Sequence, residues 1–203
     1  MNTENLLVDY FSQYLTLSEE EIQIIKNEDI IREYSKNDIL LKEGQIAKVC
    51  FLVLKGCVKR YYLEEGEEKI VEFYTENDPI APVSYINKEP SKYYLSCVEP
   101  CLISTGTEEK TEELLQKFPR FVPIFMKIGD SLSAKKQIFL DDLKNLTPEM
   151  RYQRLIETRP DLVNRIPQYM IASYLGIQPE SLSRIRKRIW ANQKNENSSP
   201  SST

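Results

Sequence analysis

The sequence contains no histidine among its 203 residues. Histidine is the commonest general base near neutral pH and the commonest metal ligand, because its side chain titrates in that range. Its absence therefore argues against most hydrolase and metalloenzyme mechanisms. We predict that the chain is not an enzyme and holds no metal ion.

Cysteine is also scarce, with four residues at Cys50, Cys57, Cys97 and Cys101. Their spacings match neither the paired C-x2-C of zinc sites nor the clustered cysteines of ferredoxins. Cys50 and Cys57 fall in predicted strands, where buried, reduced thiols are the ordinary state. A redox role stays open as the lesser alternative.

No long apolar segment is present. The longest uninterrupted apolar run is Val49 to Leu54, which is far shorter than the roughly 20 residues that a membrane helix needs. The residues after Met1 lack the basic start and apolar core of a signal peptide. These features predict a cytoplasmic protein with no membrane partner, and a hydrophobic content of 41% allows one large or two small domains.

Charge is unevenly distributed along the chain, although the net charge is only -4. Residues 151–190 carry eight cations against three anions, a net charge of +5, and residues 1–150 carry -9. A basic C-terminal segment is thus joined to an acidic N-terminal one. Only the basic segment suits a phosphate backbone.

Residues 166–190 read as two short helices separated by a glycine turn. The first is predicted from Pro167 to Leu175, with apolar residues at helical spacing, and Gly176 ends it. Pro179 suits the first turn of the second helix, because that position needs no N–H. This arrangement predicts a helix-turn-helix.

The second helix has one apolar stripe, formed by Leu182, Ile185 and Ile189. The other positions face outward, and in a helix-turn-helix the N-terminal part of this helix enters the major groove. The predicted DNA contacts are Gln178, Pro179, Glu180, Ser181, Ser183, Arg184, Lys187 and Arg188. The alternative is a surface ion pair between Glu180 and Arg184, four residues apart.

The N-terminal part predicts two short helices, with capping-box spacing from Ser18 to Glu21. Turn signals at intervals of about ten residues follow from Ile30 to about Thr105 and predict short strands. Both faces of the strand at 49–54 are apolar, so we place it inside a β-sandwich or jelly roll.

A regular apolar stripe continues from Pro119 to about Leu146. Its residues lie close to the spacing of a coiled-coil heptad, and they are Phe121, Phe125, Ile128, Leu132, Lys135, Phe139, Leu143 and Leu146. We predict a long helix that pairs with a second copy through Phe121, Phe125, Ile128, Leu132 and Phe139. The alternative is that the stripe packs only on its own β domain.

These segments predict an α+β chain of four parts. They are a β-roll sensor domain with N-terminal helices at 1–118, a dimerisation helix and hinge at 119–146, a helix-turn-helix domain at 147–191, and a disordered tail at 192–203. Thr147 and Pro148 are predicted to begin a fresh helix, which ends at Arg159–Pro160.

The order of these parts resembles the Crp/Fnr family of bacterial transcription regulators over nearly the whole chain. Two stretches carry the resemblance. The first is 36–44 followed by 49–58, which is similar to the opening hairpins of a cyclic-nucleotide-binding roll, and the second is IASYLGIQPESLSRIRK at 171–187. The resemblance implies a jelly-roll-like sensor, a homodimer on a palindromic DNA operator, and contact with RNA polymerase. It also implies that Glu180, Ser181 and Arg184 lie on the recognition helix.

The sequence departs from the family where cyclic AMP would bind. Members that bind it use a Gly-Glu pair and an Arg-Ser pair, and this chain has Ala81, Pro82, Ser91 and Lys92 in the similar stretch. No arginine lies between Arg60 and Arg120. We therefore predict no useful affinity for cyclic AMP. The candidate effector pocket, for an unknown ligand or none, comprises Tyr74, Ala81, Pro82, Val83, Ser91 and Lys92.

Two other functional classes fit the sequence less well. A cupin-like β-roll enzyme needs metal-binding histidine, which the chain lacks. The stronger rival is a ligand- or protein-binding signalling module with vestigial DNA binding. The effector, the operator and the direction of regulation do not follow from the sequence.

Overall fold

The computed structural model of the protein describes residues 6–27 and 31–196. The chain divides into two compact units. The first comprises the residues up to Glu67 and Val71–Ser133, and the second comprises Glu68–Ile70 and the residues from Ala134 onward. The first unit contains most of the strands, and the second is mainly helical.

Two helices precede the strands, α1 (Leu6–Ser12) and α2 (Glu19–Asn27). The predicted capping box is confirmed at the start of α2. The Ser18 N–H donates to Glu21 Oε2 at 2.7 Å, and the Glu21 N–H donates to Ser18 Oγ at 3.3 Å. These reciprocal bonds satisfy two N–H groups that have no partner within the helix.

Eight strands form two four-stranded sheets. Their order is β1-β8-β3-β6 in one sheet and β2-β7-β4-β5 in the other. The strands are β1 (Ile31–Tyr34), β2 (Ile39–Leu41), β3 (Cys50–Lys55), β4 (Val58–Glu64), β5 (Glu67–Tyr74), β6 (Pro79–Ile80), β7 (Tyr94–Cys97) and β8 (Cys101–Gly106). Helix α3 (Val83–Asn87) lies between β6 and β7. The predicted β-roll is confirmed; Ile30, its predicted first residue, lies outside the described residues.

Strand β3 explains the apolar run at 49–54. Phe51 and Val53 lie in the core of the roll, whereas Leu52 and Leu54 pack with α1, α2 and the later helices. Successive side chains of a strand point to opposite faces. Both faces are apolar because one faces the roll interior and the other faces helices.

Helix α4 (Glu108–Lys117) follows the strands, and a 3₁₀ turn at Pro119–Phe121 leads into α5 (Val122–Asn145). Thr107 caps α4 by accepting a hydrogen bond from the Lys110 N–H at 3.3 Å. Helix α5 confirms the predicted long helix. With the 3₁₀ turn before it, it runs from Pro119 to Asn145, close to the predicted 119–146.

The second unit contains α6 (Pro148–Thr158), α7 (Pro160–Arg165), α8 (Gln168–Tyr174) and α9 (Pro179–Glu196). Thr147 caps α6 by accepting from the Met150 N–H at 3.3 Å. The sequence did not indicate α7, in which Pro160 occupies the first turn. Helix α9 continues to Glu196, into the segment predicted to be disordered, and 197–203 lie outside the described residues.

Within residues 6–27 and 31–196, no helix is long and apolar enough to cross a membrane. The same residues include no group of three or more carboxylate or thiol side chains arranged to hold a metal ion. All four cysteines are free thiols.

Candidate nucleic-acid interface and effector pocket

A tight turn joins α8 to α9. The Ile177 N–H donates to the Ala172 carbonyl and the Gly176 N–H to the Ser173 carbonyl, both at 3.0 Å. These two bonds form a Schellman motif, which places Gly176 in the left-handed region with a φ of 68°. Ala172 has no exposed surface. The turn therefore fixes where α9 begins.

Helix α9 has a buried face and an exposed face. Its buried face carries Leu182 and Ile185, which are 1% and 7% exposed. On the opposite face lie Glu180, Arg184 and Lys187, at i, i+4 and i+7, all exposed. These three predicted DNA contacts thus share one solvent-facing strip, which we call the reading strip.

Arg184 and Arg188 differ in what they contact. Arg184 Nη2 lies 3.4 Å from Ser181 Oγ, and within the described part of the chain no ion pair joins it to Glu180. Arg188, by contrast, forms a two-pronged ion pair with Glu149 of α6, with Nε 2.9 Å from Oε1. Arg188 must leave Glu149 before it can reach a phosphate, whereas Arg184 needs only to rotate.

Two other predicted contacts lie off the reading strip. Pro179 and Ser183 line a groove of about 580 Å³ together with Arg186 and Trp190, and Trp190 is 68% exposed. Gln178 precedes α9, where its carbonyl accepts from the Ser181 N–H at 3.0 Å.

Sequence spacing did not reveal the Arg188–Glu149 pair, because these residues are 39 positions apart.

Three of the predicted effector residues around α3 are buried or hydrogen-bonded within the chain. Pro82 is fully buried, and the Val83 N–H at the start of α3 donates to the Tyr93 hydroxyl at 2.9 Å. Ser91 is buried and its hydroxyl donates to the Tyr93 carbonyl at 2.8 Å. Ala81 and Lys92 are exposed. The first N–H of α3 is therefore already satisfied.

Tyr74, the sixth predicted effector residue, belongs to a cluster that the sequence did not indicate. Its hydroxyl donates to Glu72 Oε2 at 2.7 Å, and Arg60 Nη2 lies 2.9 Å from the same oxygen. The Arg60 guanidinium also lies 5.4 Å from the ring centre of Tyr93. Burial, with the Glu72 charge, raises the pKa of Tyr74, so the hydroxyl stays protonated and donates. Arg60 is thus close to α3, but Glu72 balances its charge.

Lys88, the nearest cation in the chain after α3, is also engaged. Its ammonium lies 3.0 Å from Glu108 and 4.6 Å from the ring centre of Tyr85. A lysine held by a carboxylate contributes little net positive potential to a neighbouring site. Around α3, Arg60 is thus paired with Glu72, Lys88 with Glu108 and the Val83 N–H with the Tyr93 hydroxyl, while Arg60 Nε itself has no hydrogen-bond partner among the described residues.

The cysteines differ from the sequence expectation at one position. Cys50 begins β3 and is half-buried, whereas Cys57 lies in the turn between β3 and β4 and is fully buried. The prediction of a strand position for Cys57 was wrong, because Gly56, with a φ of 99°, turns the chain there. A hydrogen bond between the Cys97 and Cys101 thiols raises the pKa of Cys97.

The predicted dimer residues divide along α5. Phe121 has no exposed surface and packs edge-on against Phe11, 5.5 Å away between ring centres. Phe125, Ile128 and Leu132 are half-buried. Phe139 is 37% exposed and stacks on Tyr174 of α8, 5.7 Å away. The N-terminal end of the stripe thus packs within its own unit, and the C-terminal half is more exposed.

Comparisons with known proteins agree with this architecture. Residues 31–118 match the family model described as the cyclic nucleotide-binding domain. A comparison with curated protein sequences finds no match.

Three solved structures resemble the chain. A CooA mutant from Carboxydothermus hydrogenoformans is 19% identical, with 79% of this chain and 76% of that chain covered and a TM-score of 0.62. FixK2 from Bradyrhizobium japonicum is 16% identical, with 80% and 85% covered and a TM-score of 0.66. The c-di-GMP-responsive global regulator CLP from Xanthomonas campestris is 18% identical, with 80% and 87% covered and a TM-score of 0.59. The chain therefore has the Crp/Fnr-like fold, with a cyclic nucleotide-binding domain over residues 31–118.

Proposed function

We propose that this protein is a sequence-specific DNA-binding transcription regulator that binds a palindromic operator as a homodimer and does not respond to cyclic AMP. The observation that carries the proposal is the reading strip. Glu180, Arg184 and Lys187 are exposed on one side of α9, directly after the Schellman turn. The major groove admits an α-helix, and there arginine can bind guanine and glutamate can accept from cytosine.

The charge distribution supports the same proposal. The net charge of +5 over residues 151–190 belongs to the unit that carries the reading strip. Each cation that neutralises a phosphate releases a counterion, so binding should weaken steeply as salt rises. At the operator we also expect RNA polymerase as a partner.

Gel-shift titration of the full chain tests DNA binding, after selection of bound fragments from genomic DNA. Arg184→Ala should weaken binding to the best site by about 1–3 kcal/mol. Arg32→Ala is the matched control, because Arg32 is exposed on β1 and its loss removes the same charge. The proposal fails if the wild type shows no salt-dependent binding to any selected sequence, or if both variants weaken binding equally.

A homodimer is proposed from the C-terminal half of α5. Leu140 and Leu143, three residues apart on one side of the helix, are 53% and 46% exposed there. A second copy of α5 packed along this half would remove that apolar surface from water, with the gain proportional to its area. Two such copies would place their reading strips about one DNA turn, roughly 34 Å, apart.

Sedimentation velocity tests the dimer across a range of chain concentrations. Leu140→Asp should shift the protein towards monomer, because it places a charge in an apolar interface. Ile138→Asp is the matched control, since Ile138 is 51% exposed on the other side of the same helix and its replacement adds the same charge. A wild-type protein that sediments as a monomer at every concentration would contradict the dimer.

The lack of a cyclic AMP response rests on the region around α3. The Val83 N–H is satisfied by Tyr93, and the nearby cations Arg60 and Lys88 are balanced by Glu72 and Glu108. A cyclic phosphate would find no forked, unbalanced donor there. Calorimetry should show no saturation at micromolar cyclic AMP, and clear saturation would overturn this part of the proposal.

A signalling module with vestigial DNA binding is the second candidate. The exposed Trp190 beside its groove favours it, because tryptophan is enriched at protein interfaces. This candidate predicts that Trp190→Ala abolishes capture of a protein partner while the wild type binds no DNA. Salt-dependent binding to a selected operator would decide against it.

A further inference from the structure

A second cavity lies in the first unit. It has a volume of about 430 Å³ and is lined by residues of α1, α2, β3, β8, α4 and the first turns of α5. Most of its lining is apolar, and the side chains that matter here are Leu7, Phe11, Leu52, Leu114, Phe118 and Phe125. None of the six predicted effector residues lines it.

The cavity lies on the opposite face of β3 from the core of the roll. Leu52, which lines it, packs in the helical cluster, whereas Val53 belongs to the roll core. It is therefore a separate site from the stretch around α3. The polar groups at its rim are few, and Lys117 there already lies 3.0 Å from Glu20.

The size of the cavity indicates what it can hold. Protein interiors contain few voids larger than a water molecule, and an apolar void of about 150 Å³ is enough to bind benzene. A cavity of about 430 Å³ is nearly three times as large. It also falls within the range of small-molecule pockets, which are lined mainly by apolar and aromatic side chains.

We propose that this cavity is a ligand site for a neutral, mostly apolar molecule of two or three rings. Phe11, Phe118 and Phe125 supply aromatic surface for such a ligand. The lining lysines Lys110 and Lys117 are offset by Glu113 in the lining and by Glu20, so the rim has no net charge that would favour an anion. Binding here would stabilise the packing of α1 and α4 on β3 and β8, because all four elements line the site.

N-phenyl-1-naphthylamine, a neutral fluorescent molecule of three rings, is the probe that tests the site. Its fluorescence should rise and saturate at one molecule per chain in the micromolar range. Thr111→Phe should weaken binding by at least about tenfold, because Thr111 lines the cavity and the new ring would fill it. Gln116→Phe adds the same ring to an exposed position of α4 and should leave binding unchanged.

A second cavity-filling variant tests the site in case Thr111→Phe does not fold. Gly106 also lines the cavity, and a Cβ added to it would meet only Thr111 Oγ1, at 4.0 Å. Gly106→Leu should therefore fold, as circular dichroism would verify, and weaken the probe in the same way. Unchanged binding in both filling variants would overturn the proposal.

Cys50 provides an independent readout, because it is one of the residues that line the cavity. Burial raises the pKa of Cys50 to about 11, so N-ethylmaleimide should label it slowly at about pH 8. Saturating probe should slow the labelling further, as measured by mass spectrometry of the Cys50 peptide. Cys57, Cys97 and Cys101 do not line the cavity, so the probe should leave their labelling unchanged. No protection of Cys50 would overturn the site.

Two further results would assign a different occupant to the cavity. Anilinonaphthalene sulfonate carries the same rings with a negative charge, and tighter binding of this anion than of the neutral probe would overturn a neutral ligand. Phe125 and Ile128 belong to α5, so a second copy of the chain is the other possible occupant. Loss of probe binding as the chain dimerises would establish that occupant instead. None of these measurements involves DNA, so they stand or fall apart from the proposed regulator.

Discussion

The starts of α9 and α3 present two helix N-terminal regions with opposite surroundings. At α9, Glu180, Arg184 and Lys187 are exposed, and the Schellman turn that ends α8 does not cover them. At α3, the Val83 N–H is bound by Tyr93, and Pro82 is buried. A helix start attracts anions only where its N–H groups and cations are open. The comparison teaches that recognition depends on what the fold leaves unsatisfied.

The cations near α9 and α3 also differ in whether a carboxylate pairs with them. Among the residues that the structure describes, Arg184 is hydrogen-bonded to the Ser181 hydroxyl and to no carboxylate, whereas Arg60 is paired with Glu72 and Lys88 with Glu108. A cation that faces a carboxylate has little charge left for a phosphate. The difference supports the proposed DNA binding by the second unit and argues against a cyclic phosphate in the first.

The largest expected effect concerns one glycine in each unit. A Cβ at Gly56 would lie 2.6 Å from both Cys101 Sγ and the Pro100 carbonyl oxygen, and the φ there is 99°. Strain and overpacking together should make Gly56→Ala cost about 2–6 kcal/mol of the free energy of unfolding. Gly176→Ala meets nothing within 4 Å, so strain alone should cost about 1–2 kcal/mol. Urea denaturation measures both, and equal losses would contradict the comparison.

The next effect separates two residues of the reading strip. Arg184→Ala should cost about 1–3 kcal/mol at the best site and relax the preference at one base pair. Lys187→Ala should weaken all sequences alike and reduce the slope of log affinity against log salt by about one. Binding measured on a set of single-base operator variants at several salt concentrations distinguishes them. Identical profiles would show that neither side chain reads a base.

Tyr93→Phe tests whether the start of α3 is closed by this hydroxyl. The variant leaves the Val83 N–H without its partner, which should cost about 1 kcal/mol of the free energy of unfolding. Cyclic AMP should still fail to saturate, because Glu72 and Glu108 continue to balance the nearby cations. Calorimetric saturation in this variant would show that the hydroxyl alone excludes the nucleotide.

The smallest effect compares two helix caps, one in each unit. Thr107 and Thr147 accept from the Lys110 and Met150 N–H groups, both at 3.3 Å. Replacing either by alanine should cost about 1 kcal/mol of the free energy of unfolding. Thermal unfolding measures both, and unequal losses would show that the surroundings of one cap add to the hydrogen bond.

Local patterns predicted much of the fold. The Ser18–Glu21 capping box, the proline and threonine at the start of α6, and the glycine between α8 and α9 each depend on residues a few positions apart. Such signals act through short-range hydrogen bonds and backbone preferences, so a single sequence reveals them. Helix α7 was missed because Pro160, taken as the end of α6, also begins a helix of six residues.

The candidate sites were only partly predictable for a related reason. The reading strip follows from helical periodicity, because Glu180, Arg184 and Lys187 recur at helical spacing. The Arg188–Glu149 pair, the Arg60–Glu72–Tyr74 cluster and the cavity bounded by α1, α4 and β3 join distant segments. No local pattern records such contacts.

The sequence by itself determined the succession from strands to the long helix and the helix pair α8–α9, the exposed basic strip on α9 and the lack of histidine chemistry. These depend on periodicity, turn residues and composition, which act within a few residues. Only the tertiary structure decided that Tyr93 closes the start of α3, that Glu149 holds Arg188, and that an apolar cavity remains beside β3. The physical reason is that hydrogen bonds, ion pairs and cavities between distant segments exist only after the chain has packed.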